Sequence, residues 1–217
     1  MPRFRINYSK QGPAGYISHL DLARTLERSF RRARLPIAYS EGFNPHPRFS
    51  FAPPLPVGME GLKEVLDVEL TEQVDCRELA ERLNSTLPEG LAVVQVQEIL
   101  QNTLKLSTIS AAGYLVSIPK NSLSVSKLNE ALTGFMAQLT IEIISKSKGG
   151  KQKTKDIRPG IMEMEQLNQE ENLTYRLVLK TGSALNVRPE DVMEAFFQYA
   201  DEYAHKTDWL IIRTEMF

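Results

Sequence analysis

Two apolar periodicities alternate along this chain, and their order limits the folds that it can adopt. Apolar residues recur at every second position around Ile6, which is the period of a strand with one buried face. They recur at helical spacing from Leu22 to Ala33, behind the candidate N-cap Ser18. The first half contains strand patterns near 3–8, 37–40, 48–52, 66–70 and 91–99, and helix patterns near 18–34 and 75–87. This order predicts an α+β unit of the ferredoxin-like, split βαβ type with an antiparallel sheet.

The same order of elements returns after residue 112, so the sequence predicts two tandem ferredoxin-like domains. The 217 residues are too many for one such unit and suit two units of about 100 residues each. We place the domains at residues 1–105 and 106–217, with the polar residues 100–112 as the linker. The second half contains strand patterns near 114–118, 140–145, 161–167, 173–180 and 209–214, and helix patterns near 128–139 and from 189 onward.

The same periodicities predict which side chains are buried. Cys76 lies on the apolar face of the second helix, which predicts core packing for it. In the second half the inner helix faces are expected to include Leu139, Tyr199 and Tyr203. The predicted first core consists of Phe4, Ile6, Leu26, Phe30, Leu66, Val68, Leu79 and Leu83.

Composition excludes several classes of protein. An apolar content of 42% and a charged content of 24% are typical of globular chains, so we expect a folded protein. No run approaches the roughly 20 apolar residues of a membrane span, and the N-terminus does not resemble a signal peptide, so we expect a cytoplasmic protein without a membrane partner. A single cysteine excludes an intrachain disulfide and a cluster held by several thiolates. We predict no metal and no cofactor.

Charge is segregated along the chain, although the formal net charge is only −1. Residues 1–58 hold nine Lys or Arg against three Asp or Glu, and residues 146–158 hold six against one. Residues 59–145 hold six against twelve, and residues 159–217 hold five against eleven. Segregation of this kind favours an anionic partner such as RNA, or packing between oppositely charged parts of the chain.

A proline-rich segment follows the first helix. Residues 40–58 contain five prolines and two glycines, which restrict the backbone and predict a rigid loop. In one interpretation the loop is structural, with Phe43 and two further phenylalanines packed on the core. In the other, the loop presents Asn44, His46 and Arg48 to an anionic or base-like ligand, in a surface site that includes the start of the first helix near His19.

Two groups of basic residues are further candidates for RNA contacts. At 100° per residue, Arg24, Arg28 and Arg31 lie within about 60° of each other, opposite the apolar face of the first helix. Residues 146–155 contain five lysines, among them Lys148, Lys151 and Lys153, and are predicted to form a loop that clamps a phosphate backbone. The alternative for both groups is an ordinary solvated surface. Gly149-Gly150-Lys151 lacks the spacing of a nucleotide-binding P-loop.

The histidines suggest an enzymatic alternative. His19 and His46 could act as acid and base in metal-independent RNA cleavage. His19 lies toward the apolar side of its helix, however, which favours a packed or capping role.

Several motifs closely resemble the radical-SAM-linked family of unknown function. They are Ser18-His19-Leu20-Asp21, residues 38–47, residues 51–58, Asp156-Ile157-Arg158, and the segment from Gly182 to Pro189. The resemblance implies a partner, because members are fused to, or encoded beside, a radical-SAM protein. It carries no catalytic residues, and the cysteines that hold the cluster of a radical-SAM enzyme are absent here. Arg158, at the end of the second basic block, joins the candidate anion-binding residues.

Together these patterns predict a non-catalytic RNA-binding module that presents structured RNA, tRNA or rRNA, to a radical-SAM enzyme. A metal-independent endoribonuclease using His19 and His46 is the first alternative. A protein-interaction scaffold that does not bind RNA is the second.

Overall fold

The computed structural model describes residues 1–100, 102–120, 123–146, 152–167, 171–182 and 185–217. The described residues form a mixed α+β fold with a mostly antiparallel sheet and four α-helices. The elements are β1 (Arg3–Lys10), α1 (His19–Arg32), β2 (Phe49–Phe51), β3 (Glu60–Glu69), α2 (Cys76–Asn84), β4 (Leu91–Glu98), β5 (Ala111–Pro119), α3 (Val125–Met136), β6 (Glu142–Lys146), β7 (Gln152–Asp156), β8 (Ile161–Leu167), β9 (Asn172–Lys180), α4 (Pro189–Tyr199) and β10 (Leu210–Met216).

The chain divides into two compact units. The first contains Met1–Ile109 together with Arg213–Met216, and the second contains Ser110–Ile212 together with Phe217. Strand β10 is therefore shared, because its last four residues belong to the first unit. The contiguous division predicted at residue 105 does not include this return of the C-terminal residues.

In the first unit, β1 lies between β4 and β3, and both neighbours are antiparallel to it. Phe4 pairs with Val68 and Ile6 pairs with Leu66, so these four side chains share one face of the sheet. Helices α1 and α2 cover that face with Leu26, Phe30, Leu79 and Leu83. All eight residues of the predicted core are at most 2% exposed. Cys76 is partly buried and packs against the same core.

The N-cap of α1 is the residue that the sequence pattern predicts, and α2 is also capped by a side chain. The Ser18 hydroxyl accepts a hydrogen bond from the Asp21 backbone N–H, and the Asp75 carboxylate accepts from two backbone N–H groups, those of Arg77 and Glu78. Helix α2 ends at Asn84, a turn before the predicted end. Its stripe of Leu79 and Leu83 is therefore short but fully buried.

In the second unit, β9 lies between β5 and β8, and α3 and α4 contribute buried aromatic rings. The Phe135 and Phe196 rings contact each other with centroids 5.2 Å apart, and Tyr175 contacts Phe196 at 5.5 Å. Three predicted core positions are wrong. Leu139 is 93% exposed because α3 ends at Met136, and Tyr203 is 71% exposed because it follows the end of α4. Tyr199, the last residue of α4, is 47% exposed although its ring contacts Phe135.

Part of the predicted lysine loop is a strand. Residues Gln152–Asp156 form β7, which pairs with β6 in antiparallel register, Lys153 opposite Ser145. The prediction of a loop over 146–155 is therefore wrong for 152–155 and for Lys146, the last residue of β6. Lys148 and Lys151 lie outside the described residues.

Candidate nucleic-acid interface

The first helix is strongly amphipathic, and its polar face carries arginines. Leu22, Leu26 and Phe30 are buried against the sheet. Arg24, Arg28 and Arg31 are exposed on the other side, as the helical spacing predicts. We call these three residues the arginine ridge.

Two arginines of the ridge are not neutralised by a salt bridge. Arg24 approaches the Asp21 carboxylate at 3.4 Å, and both side chains are largely exposed. Among the described residues, Arg28 and Arg31 take part in no ion pair within 4 Å. Their guanidinium groups therefore stay available for an anionic ligand.

The C-terminal end of α1 is capped by a residue of α2. The Arg82 guanidinium donates hydrogen bonds of 2.7 and 3.1 Å to the Ala33 carbonyl and one of 2.7 Å to the Arg34 carbonyl. These carbonyls have no partner within the helix, and a cation at this end also interacts favourably with the helix dipole. Arg82 therefore stabilises the helix that carries the ridge.

The proline-rich segment forms a closed loop after α1. The Ser40 backbone N–H donates to the His46 carbonyl at 2.8 Å, and the His46 N–H donates to the Ser40 hydroxyl at 3.0 Å. Tyr39 and Pro47 form an isolated antiparallel bridge at its base. Gly42 adopts a φ of 115°, which other residues adopt with strain. We call residues 40–48 the proline loop.

The side chains of the proline loop point largely to solvent. Phe43, Asn44 and His46 are exposed, and Phe43 is exposed over its whole surface. The structural interpretation holds for the two later phenylalanines only, since Phe49 and Phe51 pack against the first core. Phe43 and Asn44, at the apex of the loop, are exposed and do not pack on the core.

A groove joins the arginine ridge to the proline loop. It has a volume of about 750 Å³, and its walls include Glu27 and Arg31 of α1, Tyr39, and Pro45 of the loop. The Tyr39 hydroxyl donates to the Glu27 carboxylate at 3.2 Å, and burial, followed by the Glu27 charge, raises the pKa of Tyr39. Tyr39 therefore stays protonated and fixes Glu27, while Arg31 supplies positive charge to the groove.

Arg48 lies in a different place from the ridge. Its guanidinium forms a 3.1 Å ion pair with Glu69, and it lines a cavity of about 270 Å³ together with Arg3 and Asp67. On the same sheet, the Arg5 guanidinium donates two hydrogen bonds, of 2.8 and 2.9 Å, to Asp67. Acidic partners therefore offset the positive charge of this region.

The two histidines lie in unlike surroundings. His19 is half-buried, packs edge-on against Phe51 at 4.9 Å, and lines a cavity of only about 10 Å³. This volume holds about one water molecule. His46 is exposed on the proline loop. The described residues show no hydrogen bond or ring contact between the two histidines.

Sequence reasoning missed a buried charged cluster beside His19. Lys10, Glu64 and Arg213 are each less than 5% exposed, and the Arg213 guanidinium donates to both oxygens of Glu64. It also donates to the Pro53 carbonyl at 2.9 Å. Burial lowers the pKa of Lys10, partly offset by the Glu64 charge. A glutamate and an arginine 149 positions apart leave no local sequence pattern, so no signal in the sequence points to this pair.

The remaining candidate basic residues lie in the second unit. Lys153 is exposed on β7. The Arg158 guanidinium donates to the carbonyls of Met136, Gln138 and Ile161 at 2.8, 3.2 and 3.0 Å. These bonds fix the end of α3 and engage the guanidinium within the fold. The proposed contact of Arg158 with RNA stays a prediction.

Two other properties of the described residues bear on function. They contain no group of three or more His, Cys, Asp or Glu side chains placed to hold a metal ion. None of the described helices is both long enough and apolar enough to span a membrane.

The chain matches several solved structures at low sequence identity and with TM-scores below 0.5. A chain of a Cbf5-Nop10-Gar1 complex is 10% identical with a TM-score of 0.48; the match covers 98% of the present chain and 48% of the other, so the present chain spans about half of it. An unknown protein from Galdieria sulphuraria is 12% identical with a TM-score of 0.29, covering 99% and 96% of the two chains. A putative glycine cleavage system transcriptional repressor is 12% identical with a TM-score of 0.25, covering 100% and 97%. None of these likenesses bears on function.

A search of curated proteins gave no match. One family model matches residues 3–189, which is most of the chain, and its description is "Uncharacterized protein conserved in bacteria (DUF2344)". The chain therefore belongs to this uncharacterised bacterial family.

Proposed function

We propose that this protein is an RNA-binding accessory module without catalytic activity of its own, which presents structured RNA, tRNA or rRNA, to a radical-SAM enzyme acting in trans. The observation that carries the proposal is the exposed arginine ridge, which borders the groove of Arg31, Tyr39 and Pro45. The radical-SAM partner, the cytoplasmic location and the duplication of a ferredoxin-like unit belong to the same proposal and rest on the sequence motifs and element order.

The chemistry of the ridge suits a phosphate backbone. Guanidinium groups bind phosphate oxygens with two parallel hydrogen bonds, and they remain charged at every physiological pH. Arg28 and Arg31 are one helical turn apart, so both can contact one strand of RNA. The sheet surface of the first unit is less suited, because Asp67 and Glu69 pair with its arginines.

Salt dependence of binding tests the proposal. We expect labelled tRNA to bind the full chain with an affinity that falls steeply between about 50 and 200 mM salt. Replacing Arg28 and Arg31 together by Ala should reduce the slope of log affinity against log salt by about two. Arg77→Ala is the matched control, because Arg77 is an exposed helical arginine that already pairs with Glu81. Absence of RNA binding at low salt, or an equal effect of the control, would reject the proposal.

Two outcomes would favour other functions. Strand scission that is lost in His19→Ala or His46→Ala would establish an endoribonuclease, although the small cavity beside His19 leaves no room for a nucleotide. Tight binding of a protein partner with no RNA would establish a scaffold. Crosslinking in cells, followed by sequencing of the recovered RNA, would identify the substrate.

A further inference from the structure

Phe43 is an apolar ring that the fold leaves entirely in water. Its relative exposure is 105%, the highest among the large hydrophobic residues of the described chain. An apolar ring in water is hydrated at a cost in free energy, and burial of the ring against a ligand recovers that cost. The ring is thus a surface that a ligand can cover without rearranging the core.

The position of Phe43 is fixed by the backbone around it. The hydrogen bonds between Ser40 and His46 close the proline loop on either side of the apex. Pro45 and Pro47 each fix one backbone angle, and Pro47 forms the bridge with Tyr39. A ring held on such a loop loses little conformational entropy when a ligand packs on it.

The surroundings of Phe43 are polar and charged. Glu41, Gly42 and Asn44 flank it along the chain and are exposed, so no large apolar residue adjoins the ring in sequence. Two residues further on, Pro45 lines the groove that Glu27 and Arg31 of α1 also line. The proline loop therefore combines an exposed aromatic ring with a proline that lines the same groove as Arg31, and single-stranded nucleic acid is bound by groups of these two kinds, because bases stack on rings and cations contact phosphates.

We propose that Phe43 stacks on an unpaired base, so that the RNA recognised by this module presents a single-stranded loop or bulge to the proline loop. This inference rests on the proposed RNA-binding function and specifies which part of the RNA is bound. In an A-form duplex the base faces are stacked on each other and cannot accept the ring. The arginine ridge then contacts the phosphates that flank the unpaired base.

Fluorescence anisotropy of two labelled RNAs tests the inference. One RNA is a hairpin with an unpaired loop, and the other is a blunt duplex of the same stem. We expect the wild-type chain to prefer the hairpin, and Phe43→Ala to weaken hairpin binding by about tenfold or more while leaving duplex binding unchanged. Phe43→Trp should retain the preference and Phe43→Leu should lose it, because leucine is apolar but cannot stack. Tyr16→Ala is the control, since Tyr16 is an exposed aromatic residue elsewhere in the first unit.

The outcomes separate this inference from the broader proposal. If hairpin and duplex bind equally and Phe43→Ala changes neither, the stacking role is wrong while RNA binding stands. If the wild type binds neither RNA at low salt, RNA binding fails and the stacking role fails with it. If Phe43→Ala leaves RNA binding intact but removes binding of a protein partner, the ring belongs to a protein interface and the inference is overturned.

Discussion

Arginine side chains occupy two kinds of environment in this protein, and neighbouring residues decide which. Arg28 and Arg31 extend from α1 into solvent, whereas Arg82 and Arg158 donate hydrogen bonds to the carbonyls at helix ends. Both settings look alike in sequence, since each arginine occupies a polar position in a basic or mixed segment. The contacts of the guanidinium group therefore distinguish solvent-exposed arginines from structural ones.

A prediction for a single residue concerns the protonation of Glu190. This residue lies in the first turn of α4; its Oε2 atom is buried without a partner among the described residues, and burial raises the pKa of its carboxyl group. Asp191 raises the pKa further, whereas Arg188 and Lys206 lower it. The folded state therefore keeps the proton to a higher pH than the unfolded chain, and the resulting stability is lost as the pH rises through the folded-state pKa.

The Glu190→Gln variant should not show this loss of stability with rising pH, because glutamine does not titrate. We expect its melting temperature, relative to that of the wild type, to rise as the pH increases from about 4.5 to 7. Thermal unfolding followed by circular dichroism at several pH values measures the difference. A difference between the two proteins that stays constant with pH would show that the folded-state pKa is not raised.

The sequence predicts elements well where one face of the element is buried. The alternation around Ile6 and the helical stripe through Leu26 correspond to β1 and α1, because burial against a single core imposes those periods. The pattern fails for β7, whose described side chains are exposed or half-buried, so burial imposes no alternation on it. The sequence pattern allows Phe43 to pack on the core, because nothing in the neighbouring residues shows that this apolar residue lies at the apex of a loop. In the structure Phe43 is fully exposed.

An element-scale prediction concerns the lysines on and between the paired strands β6 and β7. Replacing Lys148, Lys151 and Lys153 together by Ala should weaken RNA binding to a similar degree for all sequences and flatten its salt dependence, because phosphate contacts release counterions without reading bases. The melting temperature should change little, because Lys153 is exposed and substitutions of surface residues usually have small effects on folding. Anisotropy titrations at three salt concentrations measure the slope. An unchanged slope would exclude the lysines from the interface.

The first unit is held together by residues from both ends of the chain. The Arg213 guanidinium pairs with Glu64 across 149 positions, and both side chains are at least 95% buried. Glu64→Gln should therefore destabilise the protein by about 3–5 kcal/mol, because a buried guanidinium loses its counter-charge. Glu81→Gln is the matched control and should cost less than about 1 kcal/mol, since its pair with Arg77 is exposed.

Urea unfolding of the two variants measures this difference. A loss for Glu64→Gln no larger than that of the control would mean that water or another group stabilises Arg213 as well as the glutamate does. Sequence patterns could not reveal this pair, because periodicity describes neighbours along the chain and not partners that only the finished fold brings together.

Because residues 213–216 belong to the first unit, this unit can be completed only late in the synthesis of the chain. Ribosomes add about 5–20 residues per second, so roughly 7–30 s separate the synthesis of Glu64 from that of Arg213. During that interval β1, β3, α1 and α2 can form, yet Glu64 lies on the nascent chain without its partner. The first unit is therefore expected to complete its folding only after Arg213 has been synthesised, and to depend on chaperones until then.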